Sequence, residues 1–208
     1  MISIVVPFPG AARETGVWAE EEAAIDFRGD PQRAGRCTAS FAATELRSHL
    51  LGCLPEGTGI VFCERDPGQG PVIVLEIEDV NRFGESFVLV PLARGVLIRG
   101  RGRLGLTFGA YEFLRLQGWR WYAPGTDGAC APARMDAPQW PTATLIGQPG
   151  FANVRGFDIE QPSRESAELV LWMARNRLNL VGDRPGIRAL ARKLGLQLQA
   201  GGHIFERA

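Results

Sequence analysis

At 208 residues, with 45% hydrophobic and 22% charged side chains, the chain has a globular composition and enough length for one large or two small cores, which excludes disordered and fibrous classes. Lysine plus arginine and aspartate plus glutamate stand at 23 each, so no net field recommends nucleic acid or an anionic membrane surface as a partner. No run approaches the ~20 apolar residues of a membrane-spanning helix, and the opening MISIVVP lacks the basic and apolar parts of a signal peptide, which points to the cytoplasm.

Residues 2–6 read as a first strand. Residues 11–36 read as irregular and polar, with Glu20, Glu21 and Glu22 as a solvated acidic run. Ala42, Leu46 and Leu50 recur every fourth residue and predict a helix over 40–52, with Ser40 suited to cap it. His49 sits on that helix beside apolar neighbours and reads as a surface or hydrogen-bonded histidine rather than a base. Residues 60–63 and 72–77 are strand-like, split by the turn Asp66-Pro67-Gly68. Residues 87–90 and 96–98 follow, joined closely enough at Ala93-Arg94-Gly95 for a hairpin. Cys37, Cys53, Cys63 and Cys130 are too dispersed for a zinc site and read as free thiols, so neither metal nor cofactor is expected.

The stretch GVLIRGRGRLGLTFGAYEFLRLQGWRWYAPG, residues 95–125, is the centre of this organisation. Leu104, Phe108 and Tyr111 share one helical face, Leu106, Ala110 and Phe113 the next, and Gly118 stands where a helix-ending glycine belongs. Gly100, Gly102 and Gly105 spell G-x-G-x-x-G between strand and helix, the context of a dinucleotide site. The competing reading, that they turn the chain and admit close packing, is favoured. The element that follows is Trp119-Arg120-Trp121-Tyr122, with no acid to hold a ribose before Asp127. Trp119 and Trp121 could stack on sugar rings or fill an interdomain core.

The same stretch resembles the end of the small α/β domain that precedes the catalytic barrel in family 20 hexosaminidases, family 67 α-glucuronidases and a related bacterial group. Gly105, Phe108, Gly109, Tyr111, Phe113, Leu114, Gly118, Arg120, Trp121, Tyr122 and Pro124 occupy the places of that pattern, with Phe108 where tyrosine is common. The resemblance implies an accessory α/β domain over 1–135.

Residues 127–144, with Pro132, Pro138 and Pro141, read as a connection, and 136–150 as the linker. Residues 151–208 then change grammar. Strand 154–159 is followed by a helix capped by Ser163 with Glu165 in its first turn. Strand 178–181 leads to a helix capped by Asp183 with Pro185 near its start. Gly195 ends that helix, and 196–200 is a third strand. Such a β-α-β-α-β run needs parallel strands with right-handed crossovers and is how a (β/α) barrel begins. The fold class expected is therefore α/β: a sandwich followed by the first three strands of a (β/α)8 barrel.

Barrel chemistry sits at the C-terminal strand ends, which here offer Asp158, Glu160, Asp183, His203 and Glu206, with Gly201-Gly202 allowing close backbone approach. FANVRGFD resembles the first barrel strand of family 20 enzymes, whose R-G-x-x-x-D places an arginine on sugar hydroxyls. Arg155 and Gly156 fit, and Asp158 comes two residues early. Arg155 could equally pair with Asp158 or Glu160. GGHIF resembles a third-strand end whose histidine faces the pocket. Arg155, Asp158 and His203 are thus the candidate substrate contacts. The resemblance implies that the catalytic acids lie on later strands, so no catalytic residue is assigned and the chain alone is expected to be inactive. It implies a glycoside hydrolase acting on a hexosaminide or glucuronide. The alternatives are a free-standing interaction module that self-associates through an open barrel edge, burying 178–200, and a nucleotide-binding protein using Gly100, Gly102 and Gly105.

Overall fold

A computed structural model describes residues 1–149, 154–159 and 166–200. The elements are β1 (Ile2–Val5), α1 (Ala11–Trp18), α2 (Pro31–Cys53), β2 (Ile60–Cys63), β3 (Val72–Ile77), β4 (Phe87–Leu92), β5 (Gly95–Gly100) and α3 (Arg103–Leu116). After them come β6 (Arg120–Trp121), β7 (Ala129–Cys130), β8 (Leu145–Gly147), β9 (Gly156–Phe157), α4 (Ser166–Arg175), β10 (Leu180–Gly182), α5 (Pro185–Leu194) and β11 (Gln197–Gln199).

Six strands form one mixed sheet in the order β2-β1-β3-β5-β4-β8. β1, β2, β3 and β5 pair in parallel, and β4 is antiparallel to both β5 and β8. The expected hairpin forms, with Leu92 opposite Gly95. One sheet face, carrying Ile4, Ile73, Leu75, Leu89 and Ile98, packs into a single core with Leu46 and Leu50 of α2 and Leu106, Phe113 and Leu114 of α3. Within the stretch read as a connection, Leu145–Gly147 adds the sixth strand, because β4 has an open edge for it to pair with.

The irregular reading of 11–36 is corrected. It contains α1, and α2 starts nine residues before Ser40. The signal is Asp30-Pro31: Asp30 accepts the Arg33 backbone N–H at 3.0 Å, and Pro31 occupies the first turn. The early face of α2 is built from Ala34, Gly35, Cys37 and Ala39, too small to register as an apolar stripe, and Ser40 lies buried mid-helix. The acidic run is not simply solvated. Glu20 is exposed, but Glu21 takes Arg33 and Arg36 at 2.8 and 2.9 Å, and Glu22 takes Lys193 at 2.7 Å.

β9, β10 and β11 form a separate parallel sheet in the order β11-β10-β9, with α4 and α5 as crossovers. This is the β-α-β-α-β opening of a (β/α) barrel. The fold is thus an α/β sandwich joined to a partial barrel. The two parts meet through helices. The C-terminus of α5 abuts the N-terminus of α3: Thr107 donates to the Leu194 carbonyl at 3.0 Å, Thr38 to that of Lys193 at 2.7 Å, and Arg103 to that of Arg192. Opposite helix poles are thereby placed together, and Gly195 is needed there because a Cβ would come within 2.5 Å of the Leu104 nitrogen. Asp183 does not cap α5. Arg184 occupies the cap position, and the Asp183 carboxylate instead accepts from Arg188 at 2.5 Å.

Candidate functional site

At the C-terminal ends of the three parallel strands, Asp158 follows β9, Asp183 and Arg184 follow β10, and Gln199 ends β11. The register sets Leu180 beside Gly156 and Gln197, and Val181 beside Phe157 and Leu198. Val181 is fully buried, and Phe157 lies 6.3 Å from Trp172 of α4, so this row faces the helices. Strand alternation then puts Asp158, Gly182 and Gln199 on the opposite face, toward the barrel lumen. Arg184 spans the Asp158 carboxylate with both contacts at 3.2 Å and anchors its Nε on the Ile159 carbonyl at 3.0 Å. Gly182 makes this possible, since a Cβ there would sit 2.0 Å from Asp158 Oδ1. The result is a carboxylate and a guanidinium at a strand end, each with unused hydrogen-bonding capacity for hydroxyls.

Arg155 is elsewhere. It precedes β9 and shares the helix-facing side with Phe157, so the strand separates it from Asp158 by both end and face. Its guanidinium pairs with Glu85 and donates from Nε to the Arg177 carbonyl at 3.1 Å. Asn179, 3% exposed, joins them by donating to Glu85 at 2.8 Å and accepting the Arg155 backbone N–H at 2.7 Å. Asp158 is held by Arg184 instead, and Glu160 lies outside the described residues. Arg177 itself has φ 59, closing α4 in the left-handed position usually given to glycine, and its side chain pairs with Glu112. His203, Glu160 and Glu206, with the Ser163 cap, Glu165 and Gly201-Gly202, lie outside the described residues.

The sequence reading missed Arg184, Glu85 and Lys193. Gly182-Asp183-Arg184, a small residue and two charges at a strand end, was the available signal for the first. For Glu85 and Lys193 nothing local distinguishes them. Lys193, the only lysine, is 5% exposed, donates to the Ala19 carbonyl at 3.0 Å and lies over the Phe41 ring.

A second polar cluster lies between α2, α3 and α4. Tyr111 donates to Glu45 at 2.8 Å and Arg175 pairs with Glu45 at 3.1 Å. Burial, with the Glu45 carboxylate beside it, raises the Tyr111 phenol well above its usual range. Burial lowers the pKa of His49, which contacts the Glu45 carbonyl through Nδ1 at 2.8 Å and meets Trp119 and Trp121 edge-on. Trp121 is buried where the two parts join, its carbonyl accepting from Trp172 and Asn176 at 3.1 Å each.

The glycine fingerprint is occupied by the chain itself. A Cβ on Gly100 would meet the Leu106 nitrogen at 2.0 Å, one on Gly102 the Arg82 oxygen at 2.3 Å, and one on Gly105 the Ser86 oxygen at 2.3 Å. The loop before β4 fills the space a pyrophosphate would need, which favours the packing role. Among the described residues no group of three or more His, Cys, Asp or Glu could hold a metal ion, and no helix is long and apolar enough to cross a membrane.

No protein-family profile and no curated protein matches the chain. Solved structures do. A family GH115 4-O-methyl-α-glucuronidase with specificity for decorated arabinogalactans superposes with TM-score 0.58 at 15% identity, over 77% of this chain and 26% of that one. The fold is one found in glycoside hydrolases. A family 89 glycoside hydrolase from Clostridium perfringens, in complex with PUGNAc, matches with TM-score 0.46 at 14% identity over 86% of this chain and 19% of its own. The resemblance to glycoside hydrolases holds at the level of fold, and the chain spans about a quarter of the glucuronidase it matches.

Proposed function

We propose that this chain supplies the accessory α/β domain and the opening strands of the catalytic barrel of a glycoside hydrolase acting on a hexosaminide or glucuronide, with the catalytic carboxylates on strands outside this sequence. In this reading the division is 1–135, 136–150 and 151–208. The observation that carries it is Asp158 on the lumen side at the C-terminal end of a parallel strand, in a fold shared with an α-glucuronidase. Asp158 and His203 contact sugar hydroxyls, and Arg184 holds Asp158 in place. Arg155, engaged with Glu85, fixes the base of β9, and this supports a positioning role more directly than a sugar contact. Hydrolysis needs two carboxyl functions, or one plus a substrate amide, flanking the scissile bond, and in this reading the acid residues lie on later strands. The chain alone therefore turns over no aryl hexosaminide or glucuronide. Release of aryl alcohol in proportion to the concentration of the purified chain would overturn the proposal.

A second reading has its own observation. Phe157 in the edge strand β9 is 48% exposed and Val154, just before that strand, 61%, and an edge strand carrying exposed apolar side chains favours self-association. It predicts a dimer in light scattering that Phe157→Ser converts to monomer. A monodisperse parent monomer would dismiss it.

A further inference from the structure

A cavity of about 570 Å³ lies between the end of α2, the β6–β7 turn and α4 and shares no lining residue with the barrel strand ends. That lies inside the roughly 300–1,000 Å³ range of small-molecule sites. Its walls include the aromatic rings of Trp119, Trp121 and His49, the charged groups Glu45, Glu168 and Arg175, the aliphatic Leu171, and small groups such as Thr126 and Ala129. Trp119 is half-buried and firmly backed. Trp121 stacks on it at 6.3 Å and 13°, His49 meets it edge-on at 4.7 Å, and Gly52 lies under it where a Cβ would be 3.4 Å away.

The charges select among ligands. Arg175 is already neutralised by Glu45 at 3.1 Å. Burial lowers the pKa of His49 and so disfavours a cation on that ring. Glu168 is exposed and makes no ion pair among the described residues. One carboxylate is thus left over, which repels an anion and can accept hydrogen bonds from hydroxyls. A rigid indole wall accepts the C–H face of a pyranose ring, whose other edge carries hydroxyl donors.

We infer that this cleft is a binding subsite for a neutral sugar unit, with Trp119 as the stacking wall and Glu168 as the hydroxyl acceptor. It is separate from the barrel mouth, so it would hold a carbohydrate chain to the accessory part of the molecule. The inference rests on the lining chemistry and survives if the barrel reading fails.

Saturation-transfer NMR on the full 208-residue chain, with cellobiose, N,N′-diacetylchitobiose and glucuronic acid as probes, tests it. Saturable millimolar binding of at least one neutral disaccharide is expected, with none of glucuronic acid. Trp119→Ala and Glu168→Ala should each weaken it by about tenfold, while Arg13→Ala, exposed on α1 away from the cleft, leaves it unchanged. Trp119→Ala also removes packing over Gly52, so Trp119→Phe and the exposed Glu168→Ala serve as the folded variants. Failure of both disaccharides to bind overturns the inference, as does preferential binding of glucuronic acid. Loss of binding in Asp158→Asn with Trp119 and Glu168 variants unaffected also overturns it, and would instead support sugar binding at the barrel mouth.

Discussion

The central residues of the six-stranded sheet, Ile4, Ile73, Leu75, Leu89 and Ile98, are fully buried against α2 and α3, whereas the three-stranded sheet buries only Val181 completely among its large apolar side chains. The larger sheet is held by hydrocarbon burial over strands of three to six residues. The smaller has strands of two and three residues. Its helices share the large core through Val170, Met173, Ala174, Ile187, Ala191 and Leu194, and polar links add to that attachment: Lys193 on Glu22, Arg175 on Glu45, Arg177 on Glu112, Arg155 on Glu85, and threonine caps on the end of α5. A barrel opening with an uncovered lumen cannot bury enough apolar surface alone, and directional contacts to α2 and α3 fix it in place.

This contrast predicts a graded response to substitution. The largest effect belongs to the hydrocarbon region: Gly100→Ala drives a Cβ into the Leu106 backbone at 2.0 Å and should cost about 3 kcal/mol or more. Thermal unfolding would then shift by several degrees, at roughly 2–4 °C per kcal/mol for a chain of this size; an unchanged midpoint would refute the packing role of the glycine. Next comes Lys193→Met, which leaves Glu22 without its cation and should cost about 2 kcal/mol. Limited proteolysis should show early cuts in 166–200 while the six-stranded sheet persists, and uniform cleavage of both parts would erase the distinction drawn here. Glu85→Ala removes the carboxylate to which Arg155 and Asn179 both donate and should cost about 1–2 kcal/mol, read as a lower denaturant midpoint.

A pH experiment sharpens the comparison at the seam. The pKa of His49 is lowered by burial in the folded state, so the unfolded chain binds the proton more readily. Its contribution is nil above the ordinary histidine pKa, and stability falls as pH drops below it, levelling off under the folded pKa. The melting temperature of the parent should therefore fall between pH 7.5 and 5.5 by more than that of His49→Gln. Equal falls would mean that His49 does not titrate on unfolding. The smallest effect is expected at the barrel mouth. Asp158 and Arg184 are 38% and 28% exposed, so Asp158→Asn should change stability by less than about 0.5 kcal/mol, a value consistent with a group available to a ligand.

Local chemistry by itself determined β1 to β5, the later part of α2, α3, the β-α-β-α-β run, the hairpin at Ala93-Arg94, the helix-ending glycines Gly118 and Gly195, and the strand ends where Asp158 and Asp183 stand, but not α1, the start of α2 or β8. Each depends on residues a few positions apart, through periodicity and turn preference. Only the tertiary structure decided that Arg155 serves Glu85, 70 residues away, and that Lys193 serves Glu22, 171 residues away. It also decided that the glycines of the fingerprint accommodate the chain's own loop. Such partners are chosen by topology, which brings distant charges and backbones together, and nothing in the sequence neighbourhood of an arginine, lysine or glycine distinguishes one that meets a ligand from one that meets its own fold. The small-residue start of α2 shows the same limit: Ala34 and Cys37 carry little hydrophobic signal, and their burial follows from the elements packed against them.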